Sequence, residues 1–236
     1  AIVSLRDDNT LLEEARQCDQ EIENGHSRGW MHGIPQAIKD LAATKDVATT
    51  KGSPIFANHR PAQDGLMVQR MRTAGAIVIG KTNTPEFGLG SQTYNPIFGS
   101  TANAWDRSRT SGGSSGGAAV ALALRMLCVA DGSDMGGSLR NPAGWNHVFG
   151  LRPSQHLVPK WPATDGFFSQ LGTEGPMARH AIDLARLLAT QIGRDPRVPL
   201  SIRGDASQLA QLHADRPHKP VSTHGLRIGW LGDLEG

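Results

Sequence analysis

From Ser111 to Gly117 the sequence reads SGGSSGG and then passes without a break into the apolar run Ala118 to Ala130, interrupted only by Arg125. The first part of that run, to Leu127, is almost wholly apolar and forms a helix that has to be buried. Its N-terminus is therefore delivered into the interior of whatever fold the chain takes, and four glycines and the serines between them arrive with it. A flexible linker has a similar composition, but a linker does not normally abut a buried helix. Glycine's freedom of φ instead lets such a loop bring backbone N–H groups and hydroxyls close to a ligand. A second glycine loop, GSDMGGSLRNP from Gly132 to Pro142, follows a short strand. There Gly136 and Gly137 leave successive N–H groups free to converge on an oxyanion beside the Ser138 hydroxyl.

The rest of the chain reads as alternating helices and strands. Asn9 or Thr10 can cap a helix to about Glu23 with Leu11, Ala15, Cys18 and Ile22 as its apolar stripe and Gly25 as its stop. Gly33 to Thr44 reads as a buried strand passing into a loop. Asp64 can cap a helix through Thr73 that buries Leu66, Met67, Val68 and Met71, Gly75 ends it, and Ala76 to Ile79 form an apolar strand. The polar stretch from Lys81 to Gly117 is too long for an idle connector. After Leu151 the chain turns irregular, and Asp183 to Ile192 form a further helix stopped by Gly193. A polar loop over 213–224 precedes GLRIGWL, a buried strand expected to begin near Leu226. A parallel strand needs a long crossover to find its partner, so the fold is expected to be cut off mid-domain.

Several classes of function are excluded on composition and pattern. With 28 glycines and 14 prolines in 236 residues the chain is loop-rich yet globular. No apolar run reaches the length of a membrane-spanning helix, roughly 20 residues. The net charge of +2 is spread along the chain without a basic block, so no nucleic-acid partner is expected. Cys18 and Cys128 lie far apart, which excludes a disulfide framework and a cysteine zinc motif and fits a reducing compartment. The nine histidines are scattered and supply no close ligand pair, so no metal and no cofactor is expected; His147 and His180 stay open as triad histidines by spacing alone. Gly75 to Thr82 matches the phosphate-loop pattern G-x-x-x-x-G-K-[ST] letter for letter. Its middle residues are strand formers, though, and no helix pattern follows, so the match is misleading.

Lysine adds a sharper signal. Only 6 of the 24 cations are lysines, and Lys39 lies inside the apolar run Ala37-Ile38-Lys39. Arginine keeps its proton in a protein, whereas a desolvated lysine can be pushed toward neutrality and act as a base. Lys39 is thus a candidate general base, against the plainer possibility of a lysine paired with Asp40. Lys81, after Ile79 and Gly80, has a similar claim, and composition does not choose between them.

Taken together, GGSSGG at Gly112 to Gly117, GSDMGGSLRNP at Gly132 to Pro142 and GIPQAIKD at Gly33 to Asp40 resemble the signature of the amidase signature family of serine hydrolases. AGAIVIGKTNTPEF at Ala74 to Phe87, FGLRPS at Phe149 to Ser154 and EGPMAR at Glu174 to Arg179 are similar to flanking segments of the family, so the likeness covers most of 33–193. The resemblance implies an α/β fold with a mixed twisted β-sheet flanked by helices. Residues 1–236 would form the N-terminal and central part of a single domain whose remainder is missing or on another chain. It further implies Ser138 as nucleophile, Ser114 as a bridging serine on a cis peptide after Gly113, and Lys39 as the base. The N–H groups of Met135, Gly136, Gly137 and Ser138 would form the oxyanion hole, with Ser115 and Asp134 supporting the network. Many members carry Thr or Ile at the position of Met135, a change that matters little where the backbone does the work.

The activity so implied is hydrolysis of a carboxylic amide C–N bond to acid and ammonia or amine, through a serine acyl-enzyme. The alternatives are the A-type subunit of a tRNA-dependent amidotransferase and a non-catalytic family member. Expected partners are a small-molecule amide and, beyond it, a second chain completing the domain or a homodimer; the expected location is the cytoplasm.

Overall fold

In the computed structural model, which describes residues 1–210, 224–227 and 229, two three-stranded sheets are set side by side with helices over them. The strands of the first sheet are β1 (Ile2–Val3), β2 (Pro35–Lys39) and β3 (Ile77–Thr82), in the order β1-β3-β2. β2 runs parallel and β1 antiparallel to β3, so the sheet is mixed. Helices α1 (Asp8–Glu23) and α2 (Leu66–Thr73) lie in the connections between these strands. A small hairpin, β4 (Tyr94–Asn95) and β5 (Gly99–Ser100), precedes α3 (Gly116–Ala123). The second sheet follows as β6 (Val129–Asp134), β7 (Phe149–Gly150) and β8 (Thr173–Ala178), antiparallel in the order β6-β8-β7, with α4 (Arg140–Trp145) between β6 and β7. Helices α5 (Ala181–Gln191) and α6 (Ala206–Ala210) follow it.

Alternation along β2 decides what faces what. Ala37 packs with the α3 residues Ala118, Ala119, Ala121 and Leu122, while Ile38 packs on the other side with Met67, Val68, Met71 and Leu187. Successive strand residues point to opposite faces, so Lys39 returns to the side of Ala37 and α3. Lys81 stands beside Ile38 in the parallel register and takes the opposite face. Each fully buried aliphatic side chain in these layers contributes roughly 1.5–3 kcal/mol relative to exposure, and this burial lets the sheet hold two lysines in its interior.

Several boundaries differ from the sequence expectation for physical reasons. The cap of α1 is Asp7, whose carboxylate accepts the Thr10 N–H at 2.9 Å, so Thr10 lies inside the first turn; Ile22 is exposed rather than part of the buried stripe. Gly65 rather than Asp64 caps α2, because the Asp64 carboxylate accepts the Lys45 N–H and pairs with Arg72. Helix α3 begins two residues early, inside the glycine motif, and ends at Ala123 before Arg125 adopts a left-handed φ of 59°. The phosphate-loop lookalike is strand β3, and a Cβ on Gly80 would come within 2.8 Å of the Val3 carbonyl oxygen. Strand β8 lies in the stretch expected to be irregular. Its Gly175 and Pro176 are poor strand residues, yet it is the central strand of its sheet. Apart from His224 and short pieces at Leu226, Arg227 and Gly229, the loop expected over 213–224 and the strand expected from Leu226 lie outside the described residues. No helix among the described residues is long and apolar enough to cross a membrane.

Candidate active site

The end of β2, the turn into α3 and the turn after β6 meet at one cavity of about 190 Å³, lined among others by Lys39, Ser114, Ser133, Asp134, Met135 and Ser138. Lys39 is buried, and its Nζ lies 2.8 Å from the Ser114 Oγ, 2.8 Å from the Ser115 Oγ, 3.0 Å from the Ser133 Oγ and 3.2 Å from the Ser133 carbonyl oxygen. The Gly113–Ser114 peptide bond is cis. Ser114 and Ser138 line the same cavity, and the Ser138 carbonyl accepts the Ser115 N–H at 3.3 Å. Among the described residues no hydrogen bond joins the Ser114 and Ser138 hydroxyls.

Burial lowers the Lys39 pKa to about 7, against the opposing pull of Asp131, Asp134 and Glu174. A neutral amine has two N–H donors and one lone pair, so with four oxygens around it Lys39 can give hydrogen bonds and still take a proton from a hydroxyl. Asp40 is no partner for it: that carboxylate accepts the Thr50 hydroxyl at 2.5 Å and the Thr50 N–H at 3.0 Å. Lys81 is equally buried, but its Nζ is bound to the Ala42 carbonyl and the Thr44 hydroxyl, each at 2.7 Å, and it does not line the cavity. The face of the sheet, which composition could not supply, separates the two lysines.

The turn after β6 is organised by Asp134. Its carboxylate accepts the N–H groups of Gly137 and Leu139 at 2.8 and 3.0 Å, and it is also bound by Arg140 at 3.1 Å and Arg152 at 2.9 Å. Burial opposes its ionisation, but Arg140, the Leu139 and Gly137 N–H groups and Arg152 outweigh that and hold it well below the usual carboxylate range. The Gly137 N–H is thus occupied. Those of Met135, Gly136 and Ser138 have no protein acceptor among the described residues. Ser115 bridges the two loops, since its Oγ donates to the Ser133 carbonyl at 3.3 Å and accepts from Lys39.

Sequence reasoning missed Asp131, Ser133, Arg140, Arg152, Lys160 and Glu174. Asp131 carried the same signal as Lys39, a charge that directly follows apolar strand residues, here Val129 and Ala130. Gly112 to Gly116 also spells G-x-S-x-G, the elbow of a serine–histidine triad. Here it leads from a loop into a helix, and no histidine among the described residues lines the cavity, His147 and His180 included. Among the described residues no group of three or more His, Cys, Asp or Glu is placed to hold a metal ion.

The fold that carries this site is also found in known proteins. The Amidase family model matches residues 3–235, and the chain belongs to the amidase signature family. It is 42% identical over 202 residues to the A-type subunit of the glutamyl-tRNA(Gln) amidotransferase of Legionella pneumophila, an alignment covering 86% of this chain and 41% of that protein. It superposes on the native peptide amidase of Stenotrophomonas maltophilia with a TM-score of 0.77 at 38% identity, over 84% of this chain and 41% of the other. A bacterial aryl acylamidase of the same family gives a TM-score of 0.81 at 32% identity, over 86% and 42%. The chain thus spans about two fifths of the length of the proteins it matches.

Proposed function

We propose that the protein hydrolyses a carboxylic amide through a Ser138 acyl-enzyme, with Ser114 as the bridge and Lys39 as the base. The observation that carries this reading is the Lys39 Nζ, buried and 2.8 Å from the Ser114 hydroxyl, in a cavity that Ser138 also lines. In the proposed reaction neutral Lys39 takes the Ser114 proton while Ser114 takes that of Ser138, and the Ser138 Oγ forms a bond to the amide carbon. Negative charge moves to the carbonyl oxygen, where the N–H groups of Met135, Gly136 and Ser138 are the available donors. When the C–N bond breaks, the proton returns through Ser114 to the leaving nitrogen. Water then attacks the ester with Lys39 again as base, giving the acid and free Ser138. Ser115 and Asp134 hold the two loops in place. No cofactor enters the scheme. The free thiols of Cys18 and Cys128 fit a cytoplasmic setting.

The test uses the full-length protein and a panel of amides. Ser138→Ala and Lys39→Ala are each expected to lower turnover by at least about 10³-fold; near-normal turnover in either variant overturns the reading. A second reading is favoured by the likeness to the Legionella amidotransferase: the same acyl-enzyme would release ammonia to an acceptor within a multi-subunit assembly. Co-purification with partner subunits, and glutamine hydrolysis that depends on them, would select it over free amide hydrolysis. A protein whose Ser138 resists a fluorophosphonate would instead be a non-catalytic member.

A further inference from the structure

We propose that Glu174 is a substrate-recognition residue of this cavity, its carboxylate meeting a cationic group on the acyl part of the amide. The inference rests on the amide-hydrolase reading and names a substrate class for it. Glu174 lies on β8 directly across from Ser133 in the antiparallel register, beside the residue that touches the Lys39 Nζ, and it lines the cavity with Lys39, Ser114 and Ser138. The other two carboxylates of the cavity wall are occupied. Asp134 is held by two N–H groups and two arginines, and both Asp131 oxygens accept the Lys39 N–H. The Glu174 carboxylate has no hydrogen bond or ion pair among the described residues.

A half-buried carboxylate without a donor costs free energy that a ligand carrying a positive charge recovers. Burial raises the Glu174 pKa to about 7, with Lys160 pulling it down, Asp131 pushing it up, and Lys39 and Lys81 pulling it down more weakly. In the state competent for catalysis Lys39 is neutral, so it contributes no charge opposite Glu174. Lys160 lines the same cavity but is exposed and makes no ion pair with Glu174. A bound cation favours ionised Glu174 and drives off its proton. Cationic amides therefore gain over neutral ones as pH rises through about 7.

The experiment measures protection of Ser138 from a fluorophosphonate in the full-length protein. It compares betaine amide, whose charge does not depend on pH, with its neutral isostere 3,3-dimethylbutanamide. At pH 8 the wild-type protein should be half-protected by the cationic amide at about a tenfold lower concentration, equivalent to ~1.4 kcal/mol. That advantage should shrink below pH 7 and fall to within about twofold in Glu174→Gln. Equal protection by the two amides, no protection by either, or an undiminished advantage in Glu174→Gln overturns the inference. Equal protection by the two amides at pH 8 in the wild type overturns the inference even where the variant does not fold. A wild-type protein that does not label at Ser138 at all removes the hydrolase reading itself, a result separable from any of these.

Discussion

The backbone N–H of Lys39 donates to both carboxylate oxygens of Asp131, at 3.2 and 3.1 Å, although the two residues sit on strands of different sheets. A carboxylate thus stands in for a ladder bond between β2 and β6, at the residue that carries the amine. Asp131→Ala leaves a buried N–H without its acceptor and should cost about 1–3 kcal/mol of stability, read as a lowered urea midpoint. Asp131→Asn keeps an acceptor but removes an anion that favours charged Lys39. The acid limb of the rate profile should then move to lower pH in this variant; a shift to higher pH would contradict the placement.

Lys39 itself sets that limb. Only its neutral form can take a proton, and burial brings its pKa to about 7, so the rate of Ser138 acylation should rise with pH through that value. Lys39→Arg keeps a permanent charge and should be inactive throughout the range. Stability gives a second readout. Between about 7 and the ordinary lysine value of 10.5 the unfolded chain binds the Lys39 proton more tightly than the folded one. By linkage this residue's contribution to stability increases as pH rises across that window. Denaturation of wild type and Lys39→Met at pH 7 and pH 10 should show a larger gain in the wild type, since buried Lys81, its pKa lowered to about 8, adds the same gain to both.

Much of this site was legible as residue types in unusual places. A lysine in an apolar strand and two glycine–serine loops beside a buried helix require no coordinates to notice. What alternation and composition could not supply was the face. Lys39 and Lys81 are equivalent on paper, and only the register of β2 on β3 sends one to the glycine loops and the other to Ala42 and Thr44. Strand β8 escaped because Gly175 and Pro176 argue against a central strand, and Glu174 was hidden with it. Composition suggests positive φ for the four glycines of SGGSSGG, yet only Gly112, at 73°, adopts it; the space around the others is what demands glycine. Such close approaches belong to tertiary structure and leave no local pattern.

Asp134 provides a test of whether the turn after β6 must be held in shape. Asp134→Ala releases the Gly137 and Leu139 N–H groups and leaves Arg140 and Arg152 without their shared carboxylate. Misplacing oxyanion donors typically costs about 10²–10³ in kcat, and a loss of this order is expected with KM less affected. Arg152 is the more enclosed of the two arginines and also binds the Asp134 and Leu171 carbonyls. Arg152→Ala should therefore fall further than Arg140→Ala in single-turnover acylation.

Two glycines separate packing from freedom of the chain. A Cβ on Gly117 would lie 2.3 Å from the Asn83 nitrogen and 2.7 Å from the Ala1 carbonyl oxygen, both backbone atoms, so α3 would have to move off β3. Because Ser114 and Ser115 precede that helix, the same movement would draw their hydroxyls away from the Lys39 Nζ. Overpacking of this kind costs about 1–3 kcal/mol, so Gly117→Ala should both lower the melting temperature and slow fluorophosphonate labelling of Ser138. Gly136 is in the other glycine loop, where an added Cβ meets nothing within 4 Å and φ is not positive. Gly136→Ala keeps its N–H and should leave stability within about 0.5 kcal/mol of wild type. A Gly117→Ala protein as stable and as readily labelled as Gly136→Ala would mean that α3 does not register the serines against the lysine.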